Sequence, residues 1–348
     1  MKLLITGRYD INNHPRTRVI RDGLEMNGVD VEVFLPHNPF KFILKLFKKD
    51  FDAIHVTGKP WLFIASLLKV IHKKPVIFDA FISDYSSLVL DRKKVKPGTF
   101  KSRMVWLSDK YACKFADYTI FNTEENKEWF KKEFDLKKIK SYVVPLGADE
   151  KIFYPRKLKL HKKFTVVFHG TFIPIHGVEH IIRAAKILQD KKEDIQFKLI
   201  GDGQTFLDMW ALATELKLKN LKFLGRLETL DDVAKEMAKA HVCLGLFGDS
   251  DKSNRVIANK VYEIIAMGKP LISGTNPSMR RIFKHRRTIE FCNLGDPADL
   301  ANAIYNIKGM YNRDILSIDK NGLELFEKKF STKKIGKQVK RILNEVAK

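Results

Sequence analysis

Cysteine is scarce in this sequence, and the three that occur, Cys113, Cys243 and Cys292, lie far apart. Their spacing fits no zinc motif, and three scattered thiols cannot form the disulfide framework of a small secreted domain. We therefore expect a reducing compartment. The acidic pair Asp249 and Asp251 has the D-x-D spacing of metal-using transferases. So short a match is expected by chance, and we predict no metal site.

Long apolar runs are also absent from the sequence. No stretch approaches the roughly 20 apolar residues that a transmembrane helix needs. The N-terminal run, residues 2–6, is too short for a signal peptide and is typical of a first β-strand. We expect a cytoplasmic protein that is soluble or peripheral on the cytoplasmic face of the membrane.

Acidic residues are too few to balance the basic ones. The 348 residues contain 64 Lys and Arg against 41 Asp and Glu, which gives a net charge of +23 spread over both halves of the chain. Such a field favours anionic partners, namely nucleotides, lipid phosphates, anionic membranes or nucleic acid. Hydrophobic residues make up 45% of the chain, enough for two domains that each bury a core.

The G-x-G-x-x-G pattern of dinucleotide-binding enzymes is missing after the first strand, and residues 201–203 supply only Gly-Asp-Gly, which argues against a redox enzyme. What is present is an alternation of apolar strand-like segments with amphipathic helical segments, which predicts doubly wound parallel sheets. Strands are predicted at residues 2–6, 31–35, 53–57, 76–79, 118–122, 164–169, 197–200, 242–247 and 288–291.

Side chains that directly follow such strands are candidates for ligand binding, because ligands of doubly wound sheets bind beyond the carboxyl ends of the strands. Asp79 either binds a sugar or acceptor hydroxyl or caps the next segment. Arg16 and Arg18 either contact a phosphate or acceptor together with helix amides, or only open the first helix after Pro15. The candidates of this kind in the first half are Gly7, Arg8, Asp79 and Asn122.

In the second half, Glu263 lies in a helical segment among apolar neighbours, and Gly268 and Pro270 end that helix before a buried strand. A carboxylate there needs a partner, because burying it unpaired is unfavourable. Residues 263–270 resemble the E-A-x-A-x-G-x-P motif of retaining GT-B glycosyltransferases of family 4. Further segments resemble that family's interdomain crossover, its diphosphate loop, its G-D-G turn and its F-x-G segment: residues 145–155, 170–177, 201–203 and 221–226.

The resemblance implies a GT-B fold, in which two doubly wound Rossmann-like α/β domains turn their parallel sheets toward a cleft. We expect an N-terminal acceptor-binding domain over residues 1–150, a C-terminal nucleotide-sugar-binding domain over 151–330 and a C-terminal helix over 331–348. The resemblance also implies that Glu263 holds the ribose hydroxyls of the donor. Because the loop before the first helix faces the cleft in a doubly wound fold, we predict that Arg16 and Arg18 contact the acceptor. The predicted donor-binding residues are Gly170, Thr171, His176, Gly201, Asp202, Gly203, Arg226, Lys252 and Glu263.

Several positions depart from the family's pattern. The family's second glutamate is Arg255 here, and the arginine and lysine that meet the diphosphate are replaced by Thr171 and His176. Cations at a helix start are normally disfavoured by the helix dipole, so an anionic ligand is indicated there. We predict that the positive charge has moved to Lys252, Arg255 and Lys260. The predicted catalytic residues are Asp79, Arg255 and Lys260.

Residues 40–51 combine apolar residues at helical spacing with Lys41, Lys45, Lys48 and Lys49. In one interpretation, the face made by Phe40, Ile43, Leu44, Phe47 and Phe51 packs on the sheet and the lysines are solvated. In the other, a basic amphipathic helix lies on an anionic membrane, as the extra apolar residues Phe42 and Leu46 on a second face suggest. Residues 88–101 are predicted to be a mobile loop.

Together these features predict a metal-independent glycosyltransferase that needs no cofactor. It would move a sugar from a nucleoside diphosphate sugar to a hydroxyl acceptor, such as a lipid-linked or cell-envelope glycan. The resemblance implies a retaining reaction, in which the leaving phosphate assists attack on the same face. The alternatives are a GT-B nucleotide-sugar epimerase and a non-enzymatic basic nucleic-acid-binding protein. Expected partners are the nucleotide sugar, the acceptor and an anionic membrane surface, without nucleic acid.

Overall fold

The structure, a computed structural model, describes residues 1–7, 14–313 and 316–346. The chain divides into two compact units, one made of Met1–Gly147 with Phe330–Lys348 and the other of Ala148–Lys329. The chain thus leaves the first unit after Gly147, where we expected a boundary near residue 150. The expected C-terminal helix is part of the first unit. The candidate Arg8 lies outside the described residues.

The first unit contains a six-stranded parallel sheet in the order β2-β1-β3-β4-β5-β6. Its strands are β1 (Lys2–Thr6), β2 (Asp30–Val33), β3 (Ala53–Val56), β4 (Val76–Asp79), β5 (Tyr118–Phe121) and β6 (Ser141–Val143). Its helices before the crossover are α1 (Pro15–Glu25), α2 (Pro39–Lys48), α3 (Lys59–Leu67), α4 (Lys69–His72), α5 (Phe100–Phe115) and α6 (Glu124–Glu133). Every residue of β3 and β4 is buried, as expected when helices cover both faces of a parallel sheet.

The second unit repeats this architecture with the strand order β12-β11-β10-β7-β8-β9. Its strands are β7 (Phe164–His169), β8 (Ile195–Ile200), β9 (Leu221–Gly225), β10 (Val242–Leu244), β11 (Leu271–Gly274) and β12 (Glu290–Cys292). Its α-helices are α7 (Val178–Asp190), α8 (Phe206–Glu215), α9 (Leu230–Ala238), α10 (Asn259–Ala266), α11 (Pro277–Ile282), α12 (Pro297–Asn312) and α13 (Ile318–Lys329). The chain reverses its direction of winding between β7 and β10, and ligands of such sheets bind at this kind of switch point.

The last helix, α14 (Thr332–Val346), packs against α1 in the first unit. The two helices cross where Gly23 faces Gly336. A Cβ on Gly336 would lie 1.9 Å from the carbonyl oxygen of Gly23, so a side chain there would force the helices apart. Apolar residues of α14, among them Ile335, Val339 and Leu343, join the core beneath β1. The C-terminal helix therefore completes the first unit.

The predicted strands and the doubly wound parallel sheets are confirmed, and most boundaries shift by one to three residues. The predicted end of α10 is also confirmed, because Gly268 has φ of +59° just beyond it. The loop predicted over residues 88–101 is wrong at both ends. A π-helical turn occupies Ser86–Asp91 and α5 begins at Phe100, where Thr99 caps it by accepting from the Ser102 amide.

The buried face of α2 differs from the one that we expected to pack on the sheet. Phe42 and Leu46 are buried, whereas Phe40, Leu44 and Phe47 are 68%, 49% and 53% exposed. The reason is packing: the Phe42 ring contacts Phe34 and Trp61, with ring centroids 6.5 and 5.6 Å apart. Within residues 1–7, 14–313 and 316–346, no helix is both long and apolar enough to cross a membrane.

Candidate functional site

Three loops lie side by side at the carboxyl ends of β7, β8 and β9. The Gly170 amide donates to the carbonyl of Ile200 (2.9 Å), and the Gly201 amide donates to that of Gly225 (2.7 Å). A Cβ on Gly201, whose φ is +130°, would lie 2.0 Å from the Gly170 carbonyl oxygen. Glycine is therefore required at position 201 for the loops to approach this closely.

The loop after β7 also packs on the strand at the switch point. The Phe247 amide donates to the carbonyl of His176, and the Gly248 amide donates to that of Ile175, each at 3.2 Å. Gly177 has φ of +62° and starts α7. The backbone of residues 170–177 is thus fixed between β8 and β10, which leaves a glycine-bearing strand-to-helix loop of the kind that binds phosphate.

Lys260, in the first turn of α10, lies against this loop. Its side chain is buried, and its Nζ is 4.0 Å from the centroid of the Phe168 ring. A Cβ on Gly170 would be 2.5 Å from the same Nζ, so the absence of a side chain there makes room for the ammonium. Within the described part of the chain, Nζ has no hydrogen-bond acceptor. Burial lowers the pKa of Lys260 to about 7, although the nearby Glu263 opposes this change.

Glu263 lies one turn further along α10 and is buried. His169 Nε2, at the end of β7, is 3.1 Å from Glu263 Oε2, and Asn259 Nδ2 donates to Glu263 Oε1. The His169 ring stacks on Phe153, with ring centroids 6.2 Å apart. The carboxylate that the sequence singled out therefore has Oε1 held by a hydrogen bond from Asn259, while Oε2 lies beside the His169 ring without a hydrogen bond from it.

His176 belongs to the same loop, and its imidazole is neutral. Its Nδ1 hydrogen-bonds to the Thr171 carbonyl oxygen, so this nitrogen carries the hydrogen and Nε2 has a lone pair. Burial, followed by the nearby charge of Lys260, holds the pKa of His176 well below 6.5. A neutral imidazole in this tautomer offers a phosphate neither positive charge nor a second N–H donor.

Arg255 and Lys252 precede α10. Lys252 belongs to the 3₁₀ turn Asp251–Asn254, and Arg255 follows it. Arg255 is buried and forms an ion pair with Asp251, and the Ser278 hydroxyl donates to its carbonyl oxygen at 3.0 Å. The Arg255 charge is therefore partly offset within the protein, and Asp251 of the D-x-D pair serves as its partner.

The remaining predicted donor residues are exposed. Thr171, Asp202, Gly203 and Arg226 lie on the outer side of the three loops. The Asp202 carboxylate accepts from the Gly203 amide at 2.6 Å, and its carbonyl accepts from the Phe172 amide at 2.9 Å. The structure thus brings together Gly170, His176, Lys260 and Glu263 in one group, of which Lys260 and Glu263 are buried, with the turn at residues 201–203 beside it.

In the first unit, Arg16 and Asp79 form a buried ion pair. Arg16 Nε donates to Asp79 Oδ2 at 2.7 Å, and His55 Nε2 lies 3.4 Å from the same oxygen. Arg16 Nη1 also donates to the carbonyls of Val144 and Pro145. Although burial opposes ionisation, the pKa of Asp79 falls far below its usual range because Arg16 and His55 are adjacent. The acceptor role of Arg16 and the catalytic role of Asp79 stay predictions that this geometry does not favour, because a carboxylate so held is a poor base. Arg18 is half-buried.

Two further residues of the group around Lys260 and Glu263 were not predicted from the sequence. His169 is the last residue of a strand, and Asn259 precedes Lys260 by one position. A signal for Asn259 existed, since an amide four residues before Glu263 lies on the same helix face. For His169 no local signal existed, because its contact with Glu263 spans 94 positions of sequence.

Residues 163–308 match the model of the family described as Glycosyl transferases group 1. The matched segment lies within the second unit, Ala148–Lys329. Over 182 residues this chain is 28% identical to an uncharacterized glycosyltransferase of Methanocaldococcus jannaschii, which covers 52% of this chain and 48% of that protein. It is 24% identical over 328 residues to 2-deoxystreptamine N-acetyl-D-glucosaminyltransferase of Niallia circulans, with coverage of 84% and 80%. The matched part thus spans about half the length of the first of these relatives and most of the second.

Among solved structures, HepE of Anabaena in complex with UDP and glucose has a TM-score of 0.74 over 99% of this chain and 100% of its own, at 15% identity. At this identity the likeness concerns the fold alone, and it spans nearly the whole chain. The predicted GT-B class is confirmed.

Proposed function

We propose that this protein transfers a sugar from a nucleoside diphosphate sugar to a hydroxyl acceptor. The observation that carries the proposal is Lys260, a buried ammonium without a hydrogen-bond acceptor among the described residues, lying against Gly170 in a glycine-bearing loop. A buried cation of this kind is unfavourable unless an anion pairs with it. A diphosphate is such an anion, and it can also accept hydrogen bonds from the amides of the loop.

The ribose of the donor is proposed to bind Glu263. The carboxylate accepts from the two vicinal hydroxyls with the lone pairs that Asn259 does not use, since each carboxylate oxygen can accept more than one hydrogen bond. Asn259, through its hydrogen bond, and His169, through its contact at 3.1 Å, are thus proposed as positioning residues for the carboxylate. The exposed turn at Asp202 and the neighbouring Arg226 are proposed to contact the base.

The positive charge that supports departure of the diphosphate is proposed to come from Lys260, with Arg255 and Lys252 nearby, and not from His176. Negative charge develops on the leaving phosphate in the transition state, so a preorganised ammonium in a dry site lowers the barrier. As a group 1 transferase the protein is proposed to retain anomeric configuration, with the leaving phosphate assisting attack on the same face.

Uridine is the first base to test, because HepE structures contain UDP and UDP-glucose. Thermal-shift and calorimetric screens of UDP, GDP, ADP and CDP should show stabilisation by one nucleoside diphosphate, since a ligand that binds only the folded state raises the melting temperature. Glu263→Ala should abolish the shift, whereas Glu215→Ala, on the exposed end of α8, should keep it. No shift with any nucleotide would contradict the proposal.

We also propose that α2 holds the protein against an anionic membrane bearing a lipid-linked or envelope acceptor. The exposed stripe of Phe40, Leu44 and Phe47 would enter the interface. Lys41 and Lys48 would attract the lipid phosphates. Lys45 is not available to bind lipid phosphates, because its side chain is buried in ion pairs with Glu32 and Asp50.

Vesicle flotation tests this docking surface. Phe40→Ser with Phe47→Ser should reduce binding to vesicles containing phosphatidylglycerol, while Leu230→Ser with Tyr305→Ser, an exposed apolar pair of the second unit, should not. Lys41→Gln with Lys48→Gln should weaken binding by about 1 kcal/mol per lysine. Equal flotation of all variants would exclude α2 as the membrane contact.

A further inference from the structure

A basic surface segment lies between α11 and β12 in the second unit. Residues 280–287 contain five arginines and lysines and one histidine without an acidic residue. Arg280, Lys284 and Arg287 are exposed, as are the other basic residues of the segment. A basic run on a flat surface is normally only a solvated face. Here the surface is concave.

Two adjoining depressions follow this segment along the carboxyl ends of β11 and β12. One has a volume of about 390 Å³ and the other of about 410 Å³, and both are lined by Thr275, Arg280 and Asn293. Lys284 and His285 flank the first, and Asn254 closes the second. Together they form a groove, which we call the basic groove.

The lining of the basic groove is cationic and rich in neutral hydrogen-bonding groups. Asp299 is the acidic residue of the lining, and its Oδ2 already accepts from the Asn293 amide at 2.8 Å. The side-chain amides of Asn254 and Asn293 and the hydroxyl of Thr275 suit a ligand with many hydroxyl groups. The cations suit phosphate or carboxylate.

The basic groove is connected to the candidate site by hydrogen bonds. Asn276 Nδ2 donates to the carbonyls of Ser253 (2.7 Å) and Val256 (3.0 Å), and the Ser278 hydroxyl donates to that of Arg255. The loop after β11 therefore supports the segment that leads into α10. A ligand that fills the groove as far as Asn254 ends beside this segment.

We propose that the basic groove binds an anionic saccharide chain, with its phosphates or carboxylates on Arg280 and Lys284 and its hydroxyls on the amides. This rests on the proposed function and assigns a substrate class to it: an acceptor or growing product that carries negative charge along the chain. A single-stranded nucleic acid fits less well, because its bases stack on exposed aromatic rings. Of the phenylalanines of the lining, Phe283 is buried and Phe291 is half-buried beneath a stacked His285.

The test compares Arg280→Gln/Lys284→Gln with Arg183→Gln/Lys191→Gln, which removes the same charge from an exposed part of the second unit. Fluorescence anisotropy measures binding of an oligogalacturonate, a phosphorylated maltooligosaccharide, a neutral maltooligosaccharide and an oligothymidylate of equal charge. We expect wild type and control to bind at least one anionic saccharide, the groove variant to bind it at least tenfold more weakly, and the neutral chain not to bind. The two anionic probes distinguish carboxylate from phosphate.

Equal binding by the groove variant and the control would overturn the proposal, as would failure of both anionic saccharides to bind. Tighter binding of oligothymidylate, weakened by the groove substitutions, would replace it with a nucleic-acid surface. Affinity for UDP, GDP, ADP and CDP is measured in parallel on all proteins. Unchanged affinity of the groove variant for the nucleotide that wild type binds shows that the variant is folded. Binding of none of the four by wild type would contradict the proposed donor site independently of the groove.

Discussion

Replacing Lys260 with methionine should stabilise the protein and remove its affinity for the donor. Methionine matches the length of lysine and packs well among apolar and aromatic groups, so the Phe168 contact is kept while the buried charge is removed. Buried charges are often replaced by hydrophobic residues with a gain in stability. A residue that lowers stability in this way is expected where function requires it.

The magnitude follows from the lowered pKa of Lys260. An exposed lysine titrates at 10.5, and burial brings the pKa of Lys260 to about 7. The folded state therefore binds fewer protons than the unfolded state between these values, and stability rises with pH across this window. Below about pH 7 the whole penalty is present, on the order of 2–5 kcal/mol. Lys260→Met should recover it at pH 6, and the gain should shrink as pH approaches 10.

The affinity for the donor should fall as pH rises, whereas the free energy of unfolding should increase. UDP-glucose is the suitable ligand, because its diphosphate lacks the terminal phosphate ionisation near pH 6. In wild type the ammonium form binds the diphosphate, so affinity should fall about tenfold from pH 6 to pH 8 as Lys260, with its pKa of about 7, loses its proton. In Lys260→Met this part of the pH dependence should disappear, and Lys260→Arg should bind similarly at both pH values.

Urea unfolding at pH 6, 8 and 10 and calorimetric titration with UDP-glucose at pH 6 and 8 provide the test. Lys191→Met, at an exposed position, is the control for an unspecific effect of losing a lysine. The reasoning would be refuted if Lys260→Met were less stable than wild type at pH 6. It would be refuted equally if that variant bound UDP-glucose with wild-type affinity at pH 6.

Further substitutions test the other residues. Glu263→Ala should weaken donor binding by about 1.5–3 kcal/mol, as expected for charge-assisted hydrogen bonds, and unchanged affinity by calorimetry would contradict the ribose assignment. Arg255→Ala should slow sugar transfer about tenfold or more, which corresponds to a barrier higher by on the order of 1.4 kcal/mol. In steady-state kinetics, His176→Ala should have the smaller effect. If His176→Ala had the larger effect, the hypothesis that the positive charge has moved from the loop to α10 would be wrong. Gly336→Ala should lower the free energy of unfolding by about 1–3 kcal/mol, because the added Cβ meets the backbone of α1. Gly309→Ala, at an open position of a helix, should raise the free energy of unfolding by up to about 1 kcal/mol. Equal urea midpoints for the two variants would refute this prediction.

The sheets could be predicted from the sequence because their central strands, such as β3 and β4, are short apolar runs buried on both faces. The segment Val76–Asp79 and the segment Phe164–His169 were located without error. Which face of α2 is buried could not be predicted from the sequence, because apolar residues lie on both faces and periodicity alone does not choose between them. The packing of Phe42 against Phe34 and Trp61 decides it.

The candidate site was predictable where its residues are close in sequence. Lys260 and Glu263 are three positions apart on one helix, so their proximity follows from helix geometry. The contact of Lys260 with Gly170 and the pairing of Glu263 with His169 depend on how α10 packs against β7, and no local pattern encodes that. The same is true of Asp79, whose partner Arg16 lies 63 positions away.

The central claim is that the group of Gly170, Lys260 and Glu263 binds a nucleoside diphosphate sugar. Calorimetric titration of wild type, Lys260→Met and Glu263→Ala with UDP-glucose and the corresponding GDP, ADP and CDP sugars at pH 6.5 tests it most directly. The account predicts saturable binding of one donor by wild type, and a loss of at least tenfold in each variant while both remain folded. Binding of no donor by folded wild-type protein, or equal binding by all three proteins, would contradict it.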